Sequence, residues 1–131
     1  MKPEELIKIA IESMSRAYAP YSGYKVGAAL LCADGTVFTG CNIENGAFSP
    51  SICAERTAFA KAVSEGYRDF TAIAVCGGKD GVISGIFPPC GVCRQVMREF
   101  CKDDFLIYMI DKEGHYETRT LAQLLPDSFS L

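Results

Sequence analysis

The sequence lacks any apolar run approaching the roughly 18 residues that a membrane-spanning helix needs, and it has no internal repeat, low-complexity tract or visible linker. Its N-terminus is acidic and helix-like, without the positively charged start and apolar stretch of a signal peptide. We therefore expect a soluble, cytoplasmic protein without a membrane partner. The 131 residues fit a single domain over 1–131, which is long enough to bury one core.

Clusters of Lys and Arg are also missing, and the formal net charge is −3. Affinity for nucleic acid rests largely on such clusters, because cationic side chains displace the counterions of the phosphates. A nucleic-acid partner is therefore disfavoured. The hydrophobic content of 49% and the charged content of 22% lie near the averages of globular proteins, which argues against disorder.

Histidine occurs once, whereas cysteine occurs seven times. Because the number is odd and we expect a reducing compartment, metal binding explains the cysteines better than a disulfide scaffold does. Cys32, Cys76 and Cys101 fall in predicted strand or helix cores, where a free cysteine packs as a small hydrophobic residue. We interpret Cys41 as a packing residue too, and His115, just past a predicted turn, as a solvated hairpin residue.

Three cysteines and one glutamate stand out as candidates for chemistry. Cys53 is followed two residues later by Glu55, and Cys90 and Cys93 form a separate pair. Three thiolates give a tetrahedral zinc three protein ligands and leave its fourth position open, which marks a catalytic site. Glu55 is not needed as a ligand, so it is free to take a proton from water in that position. The pattern indicates hydrolysis.

The spacing of these residues predicts that they lie at the starts of helices. Cys90 and Cys93 are three residues apart and share one face of a helix. Cys53 and Glu55 are two apart, which in mid-helix would point them roughly 200° from each other. They must therefore lie on the first turn. Two helix N-termini then supply positive potential that lowers the pKa of the cysteines and stabilises thiolates.

A lone Cys-x-x-Cys pair has two other interpretations, a redox pair and half of a structural zinc site. The redox interpretation is weakened by the accompanying Cys53 and Glu55. A structural site with four cysteines usually has a second close pair, and the sequence has none.

Periodicity and turn residues predict nine elements. The predicted helices cover 3–18, 53–65, 89–101 and 121–125, and the predicted strands cover 26–32, 36–41, 70–76, 105–110 and 115–120. Strands that alternate with helices imply helices on the faces of a mixed five-stranded sheet, an α/β fold. The link 111–114 is too short for a parallel crossover, so the last strand should return antiparallel.

Five motifs in order resemble those of the short-chain cytidine deaminases, a zinc-dependent family. They are AYAPYS at 17–22, VGAAL at 26–30, GCNIEN at 40–45, CAER at 53–56 and PCGVCRQ at 89–95. The resemblance implies a three-layer α/β/α sandwich, one zinc ion per subunit and a homotetramer. It also implies the reaction, hydrolytic deamination of cytidine and deoxycytidine to uridine and deoxyuridine with release of ammonia.

On the zinc side of such a site, the resemblance assigns three roles. Glu55 moves protons between water, N3 of the cytosine ring and the leaving ammonia. Arg56 donates hydrogen bonds to the ligand sulfurs, which offsets the net negative charge that three thiolates leave on the metal. Main-chain groups near Cys53 and Ala54 hold the pyrimidine edge.

On the substrate side, the resemblance assigns Asn42 and Glu44 to the ribose hydroxyls. Without it, an Asn-x-Glu sequence is better interpreted as a polar loop that satisfies its own backbone. Tyr24 stands where the family usually has Phe, near the base, and Phe48 stands where Tyr is common. Phe129 resembles the aromatic residue that stacks on the base in a neighbouring subunit's pocket; alone, it would be interpreted as a core residue.

Three alternative functions are weighed against cytidine deamination. The first is deamination of another aminated nucleoside such as blasticidin S, against which Asn42, Glu44 and Arg56 together favour cytidine. The second is a nucleic-acid-editing deaminase, which needs a basic groove that the acidic composition disfavours. The third is a zinc-stabilised module without enzymatic activity.

Overall fold

The computed structural model describes all 131 residues. The helices are α1 (Pro3–Ser13), α2 (Ala54–Ser64), α3 (Gly91–Phe100) and α4 (Leu121–Leu124), with a 3₁₀ turn over Met14–Arg16. The strands are β1 (Tyr24–Cys32), β2 (Val37–Cys41), β3 (Phe70–Lys79), β4 (Leu106–Lys112) and β5 (His115–Thr120). The predicted order of elements is confirmed. None of the helices has the length and apolarity needed to cross a bilayer.

The first helix is shorter than predicted, because its last turns contain two serines that bond back to the helix. The Ser13 hydroxyl donates to the carbonyl of Ala10 at 2.7 Å, and the Ser15 hydroxyl donates to the carbonyl of Glu12 at 3.0 Å. Such local bonds compete with regular helical pairing. The α-helix therefore ends at Ser13 and continues as a 3₁₀ turn, instead of reaching residue 18.

The third strand is longer than predicted, because its glycines are paired. Gly77 and Gly78 are weak strand formers, which is why the sequence favours an end at Cys76. Both glycines nevertheless face residues of β1, and the pairing continues to Lys79. The extra residues lie beside the start of β1, and one of them, Gly77, packs against Phe87 of the site described below.

The sheet has five strands in the order β2-β1-β3-β4-β5. Only the pair β3 and β4 is parallel, because helix α3 crosses over between these strands. The other neighbours are antiparallel, including the predicted return of β5 along β4. The mixed five-stranded sheet is therefore confirmed.

The helices cover both faces of the sheet and enclose two hydrophobic cores. Helix α1 packs on one face, and α2, α3 and α4 contribute to the core on the other. Ala28 and Ala29 are neighbours on β1 but belong to opposite cores, as the alternation of side chains along a strand requires. The three-layer α/β/α arrangement that the family resemblance implies is thus confirmed.

Cysteines outside the candidate site behave as packing residues. Cys32, Cys76 and Cys101 are buried, as predicted. Burial raises the pKa of Cys76 and of Cys101 to about 12, which keeps both thiols protonated and unreactive. His115 is exposed, in agreement with the hairpin position expected for it.

Helix α2 lies unusually close to strand β2, and a glycine makes the approach possible. A Cβ atom added at Gly40 would lie 2.1 Å from the carbonyl oxygen of Ala54 and 2.6 Å from the backbone nitrogen of Ala58. Ala54, Ala58 and Ala62 are all fully buried along the contact. Since Ala54 is the first residue of α2, this contact sets where the helix begins.

Gly40→Ala should therefore lower the free energy of unfolding by about 1–3 kcal/mol or more, because the added methyl meets backbone that cannot move aside independently. Denaturant unfolding of the purified variant measures the loss. Gly91→Ala is a matched control, because a Cβ there meets no atom within 4 Å. Equal stability of the two variants would contradict the close packing of α2 on β2.

Candidate metal centre and active site

Three cysteines from two helix starts meet at one point, as the spacing predicts. Cys53 is the N-cap of α2, Cys90 is the N-cap of α3, and Cys93 lies in the first turn of α3. Their sulfur atoms all lie within 4.8 Å of one another, and the Sγ atoms of Cys53 and Cys90 are 3.8 Å apart. None of the three forms a disulfide.

The sulfur geometry fits zinc. Zn–S bonds of about 2.3 Å at tetrahedral angles separate two sulfurs by about 3.8 Å, the distance seen between Cys53 and Cys90. The fourth cysteine of a structural zinc site is not present in the cluster, which contains these three residues alone. The donor set therefore suits a zinc ion with one open position.

The electrostatics of the cluster favour a thiolate. The neighbouring Cys93 thiol stabilises a thiolate at Cys53 and is the main reason that the pKa of Cys53 falls to about 5. Arg56 contributes as well, because its guanidinium donates to the Cys53 sulfur at 3.4 Å. The Cys53 sulfur in turn favours the protonated form of Cys93 and raises the pKa of that thiol.

Glu55 is a buried carboxyl group without a salt-bridge partner. It occupies the second position of α2, between Ala54 and Arg56, and is only 4% exposed. Burial raises its pKa to about 7, because the charged form is poorly solvated there. A carboxyl group with a pKa near neutrality can both accept and donate a proton, which is what a general acid and base requires.

A cavity of about 600 Å³ joins these groups to the surface. Its size suits a small-molecule ligand. Cys53, Glu55 and Cys90 lie in its wall, and so do Asn42 and Glu44. Thus the structure brings two of the predicted metal ligands, Glu55 and two of the predicted substrate residues to a single cavity.

Asn42 lines the cavity, but its amide group is already engaged with the backbone of strand β1. Its Oδ1 atom accepts a hydrogen bond from the Val26 nitrogen at 2.8 Å, and its Nδ2 atom donates to the Tyr24 carbonyl at 2.8 Å. These two bonds agree with the interpretation of Asn42 as a polar loop residue that satisfies nearby backbone groups. The Asn42 side chain nevertheless remains part of the cavity wall.

Glu44 likewise braces a turn at the cavity wall. One carboxylate oxygen accepts from the backbone nitrogens of Tyr21 and Ser22, at 3.0 and 3.1 Å, and the other accepts from the Ser22 hydroxyl at 2.5 Å. The Ser22 hydroxyl is the largest cause of a lowered pKa for Glu44, to which the positive charge of Lys79 also contributes. Glu44 is consequently an anion, and its oxygens keep capacity for further donors.

Phe87 forms an apolar wall of the cavity and is a residue that no sequence motif singled out. Tyr24, predicted to lie near the base, does not line the cavity itself but packs behind Phe87, with ring centroids 5.9 Å apart. A Cβ at Gly77 would come within 3.0 Å of the Phe87 ring, so the glycine makes room for it. The adjacent glycines at the end of β3 were the available signal.

The remaining predicted residues occupy different positions. Ala54 is fully buried and lines the cavity. Phe129 is 67% exposed and does not line the cavity of its own chain. Phe48 does line the cavity, although it is 75% exposed and has a positive φ of 64°. Both exposed aromatic rings are available for contact with another molecule.

Comparison with known proteins places the chain among deaminases. The family described as "Cytidine and deoxycytidylate deaminase zinc-binding region" matches residues 1–109. A cytidine deaminase from Sporosarcina psychrophila is 50% identical over 130 residues, which cover 99% of this chain and 93% of that protein. A blasticidin-S deaminase from Bacillus cereus is more distant, with 29% identity over 126 residues, which cover 93% of this chain and 88% of that protein.

A solved structure agrees with the sequence comparisons. The crystal structure of cytidine deaminase from Burkholderia pseudomallei has a TM-score of 0.91 and 44% sequence identity, and the match covers 98% of this chain and all of that chain. The sheet order, the helix layers and the cysteine cluster described above are thus found in a chain of which residues 1–109 match the family model. The chain belongs to the cytidine and deoxycytidylate deaminase family.

Proposed function

We propose that the protein hydrolyses cytidine and deoxycytidine to uridine and deoxyuridine with release of ammonia. One observation supports this function most directly: three thiols that suit zinc and a buried carboxyl group meet at one cavity. A general acid and base beside an open zinc position is the equipment that hydrolytic deamination of a ring needs. Family membership and the 50% identity over 130 residues to a protein named cytidine deaminase support the same function.

Cys53, Cys90 and Cys93 would hold one zinc ion per subunit. Zinc in this setting is a Lewis acid that lowers the pKa of a water molecule in the open position. The N-termini of α2 and α3 point at the sulfurs and favour their negative charge. Arg56 draws charge from the Cys53 sulfur through its hydrogen bond, so the thiolates donate less charge to the metal.

Glu55 is the proton carrier of the proposed reaction. Its carboxylate takes one proton from the attacking water and delivers it to N3 of the cytosine ring, while the water oxygen bonds to C4. It then takes the second proton of that oxygen and passes it to the amino group, so ammonia leaves and the C4 carbonyl of uracil remains. A pKa near neutrality suits both directions of transfer.

Asn42 and Glu44 would bind the ribose hydroxyls of the nucleoside. Glu44 is anionic and is held rigidly by Ser22, so a hydroxyl donor meets a fixed acceptor without cost of reorganisation. The backbone of Ala54 would hold the pyrimidine edge, with Tyr24 supporting the apolar wall from behind Phe87.

Phe129 would complete the pocket of a neighbouring subunit in a homotetramer. Its ring is largely exposed and lies outside its own cavity, and a stacking role would explain both facts. Nucleic acid is not a partner in this proposal, because the net charge of −3 disfavours binding to a polyanion. The proposal includes no membrane partner either.

Blasticidin S is the alternative substrate, because a deaminase of that name is among the relatives. The lower identity to that protein favours cytidine. The two candidates share the zinc chemistry and differ in the group attached to the ring, so a direct comparison of substrates separates them.

The zinc-loaded protein should release ammonia from cytidine and deoxycytidine, and not from blasticidin S or a single-stranded oligonucleotide. Glu55→Gln should keep zinc and fold but lose about 10²–10⁴-fold in kcat, because an amide cannot carry protons. Ammonia release measures the turnover, and metal analysis with circular dichroism verifies zinc and fold.

Glu65→Gln is the matched control, because Glu65 caps the far end of α2 and is exposed. It should retain the parent's turnover. Retention of more than a tenth of the parent's kcat by Glu55→Gln would remove Glu55 from the reaction. Preferential release of ammonia from blasticidin S would replace the proposed substrate.

Glu44→Gln tests the sugar contact without dismantling the turn, because the amide can still accept from Tyr21 and Ser22. Loss of the charged acceptor should lower kcat/KM for cytidine by roughly tenfold or more. Free cytosine should be a poor substrate that is equally poor for the parent and the variant, since it has no ribose.

Asp34→Asn is the control for this measurement. Asp34 accepts a comparable bond from Thr36 in the turn between β1 and β2, and it does not line the cavity. Its kcat/KM for cytidine should match the parent's. An equal loss with cytosine and cytidine in Glu44→Gln would mean that Glu44 acts on the site only through the turn.

A further inference from the structure

Arg94 joins two parts of the chain that are far apart in sequence. Its Nε atom donates to the carbonyl of Pro89 at 2.7 Å, and its Nη1 atom donates to the carbonyl of Leu124 at 2.6 Å. Both bonds carry the positive charge of the guanidinium, which makes them stronger than bonds between neutral groups. The side chain is partly buried, so the bonds are shielded from water.

Both carbonyls depend on Arg94. Neither accepts a main-chain hydrogen bond. Pro89 is buried, and a buried carbonyl without a partner is costly. Leu124 is the last residue of α4, where carbonyls lack helical partners.

The two bonded segments lead to different parts of the proposed site. Pro89 immediately precedes Cys90, and the same loop carries Phe87 into the cavity. Leu124 precedes the C-terminal segment 125–131, which carries Phe129. The next residue along α3, Gln95, donates to the carbonyl of Phe129 at 3.3 Å.

We propose that Arg94 is a positioning residue that holds the loop 80–90, which ends at Cys90, and the C-terminal segment 125–131 in a fixed relation to each other. The inference rests on the proposed role of Cys90 as a zinc ligand. Through Arg94, the order of the loop before Cys90 and the order of the segment that bears Phe129 depend on one side chain. Lysine would replace it only in part, because one ammonium lacks the planar fork that reaches two carbonyls on separate segments.

The test compares Arg94→Met, Arg94→Lys and the parent as full-length zinc-loaded proteins. Zinc loss is followed as transfer to the chelator 4-(2-pyridylazo)resorcinol, and order is followed by hydrogen exchange of peptides covering 83–93 and 121–131. Arg94→Met should lose zinc about tenfold faster or more. Exchange in both peptides should accelerate by roughly tenfold. Arg94→Lys should show both changes to a smaller extent.

Arg98→Met is the control, one turn further along α3. Arg98 bonds to Asp103 and to the carbonyl of Cys101, and it touches neither Pro89 nor Leu124. Its zinc transfer and the exchange of 83–93 should match the parent's. If Arg94→Met fails to fold by circular dichroism, Arg94→Lys decides the matter by the same two readouts.

Acceleration in 121–131 alone would overturn the proposal, because Arg94 would then only cap α4. Unchanged exchange in both peptides would also overturn it. Exchange is read on samples with and without zinc, so the link between the segments is judged even if the metal assignment fails. Failure of the proposed function would appear separately, as a parent protein that binds no zinc.

Discussion

The arrangement of the site depends on the convergence of two helix N-termini, those of α2 and α3. Cys53 and Cys90 are N-cap residues, so the helices could not be displaced without separating the sulfurs. Helix α2 is fixed by its close contact with β2 at Gly40. Helix α3 is fixed by the crossover between the parallel strands β3 and β4. The sheet thus determines the metal centre through the positions of two helix starts.

Much of this arrangement could be predicted from the sequence. The spacing of Cys53 to Glu55 is incompatible with a shared face in mid-helix, and this constraint alone placed both residues on a first turn. The order of elements along the chain and the mixed sheet with helices on its faces followed from the alternation of strand and helix patterns. Local periodicity carries this information, because a helix or strand repeats its contacts every few residues.

Other features could not be predicted because they depend on contacts between distant segments. Asn42 and Glu44 satisfy backbone groups at residues 21–26, and nothing in a local pattern shows which backbone a polar side chain will meet. Phe87, in the loop between β3 and α3, reaches the cavity because Gly77 on β3 leaves space for its ring. Asn42 and Glu44 thus bind local backbone and also lie in the cavity wall. For Glu44 the two roles are compatible, since a carboxylate accepts several donors.

The proposed reaction requires zinc bound by three sulfurs with one position open. Zinc K-edge X-ray absorption of the protein with one equivalent of zinc measures the ligand set directly. Three sulfurs at about 2.3 Å and one oxygen or nitrogen at about 2.0–2.2 Å are predicted. Four sulfur ligands would indicate a closed structural site, and one sulfur or none would show that the cysteine cluster does not hold the metal; either result would contradict the account.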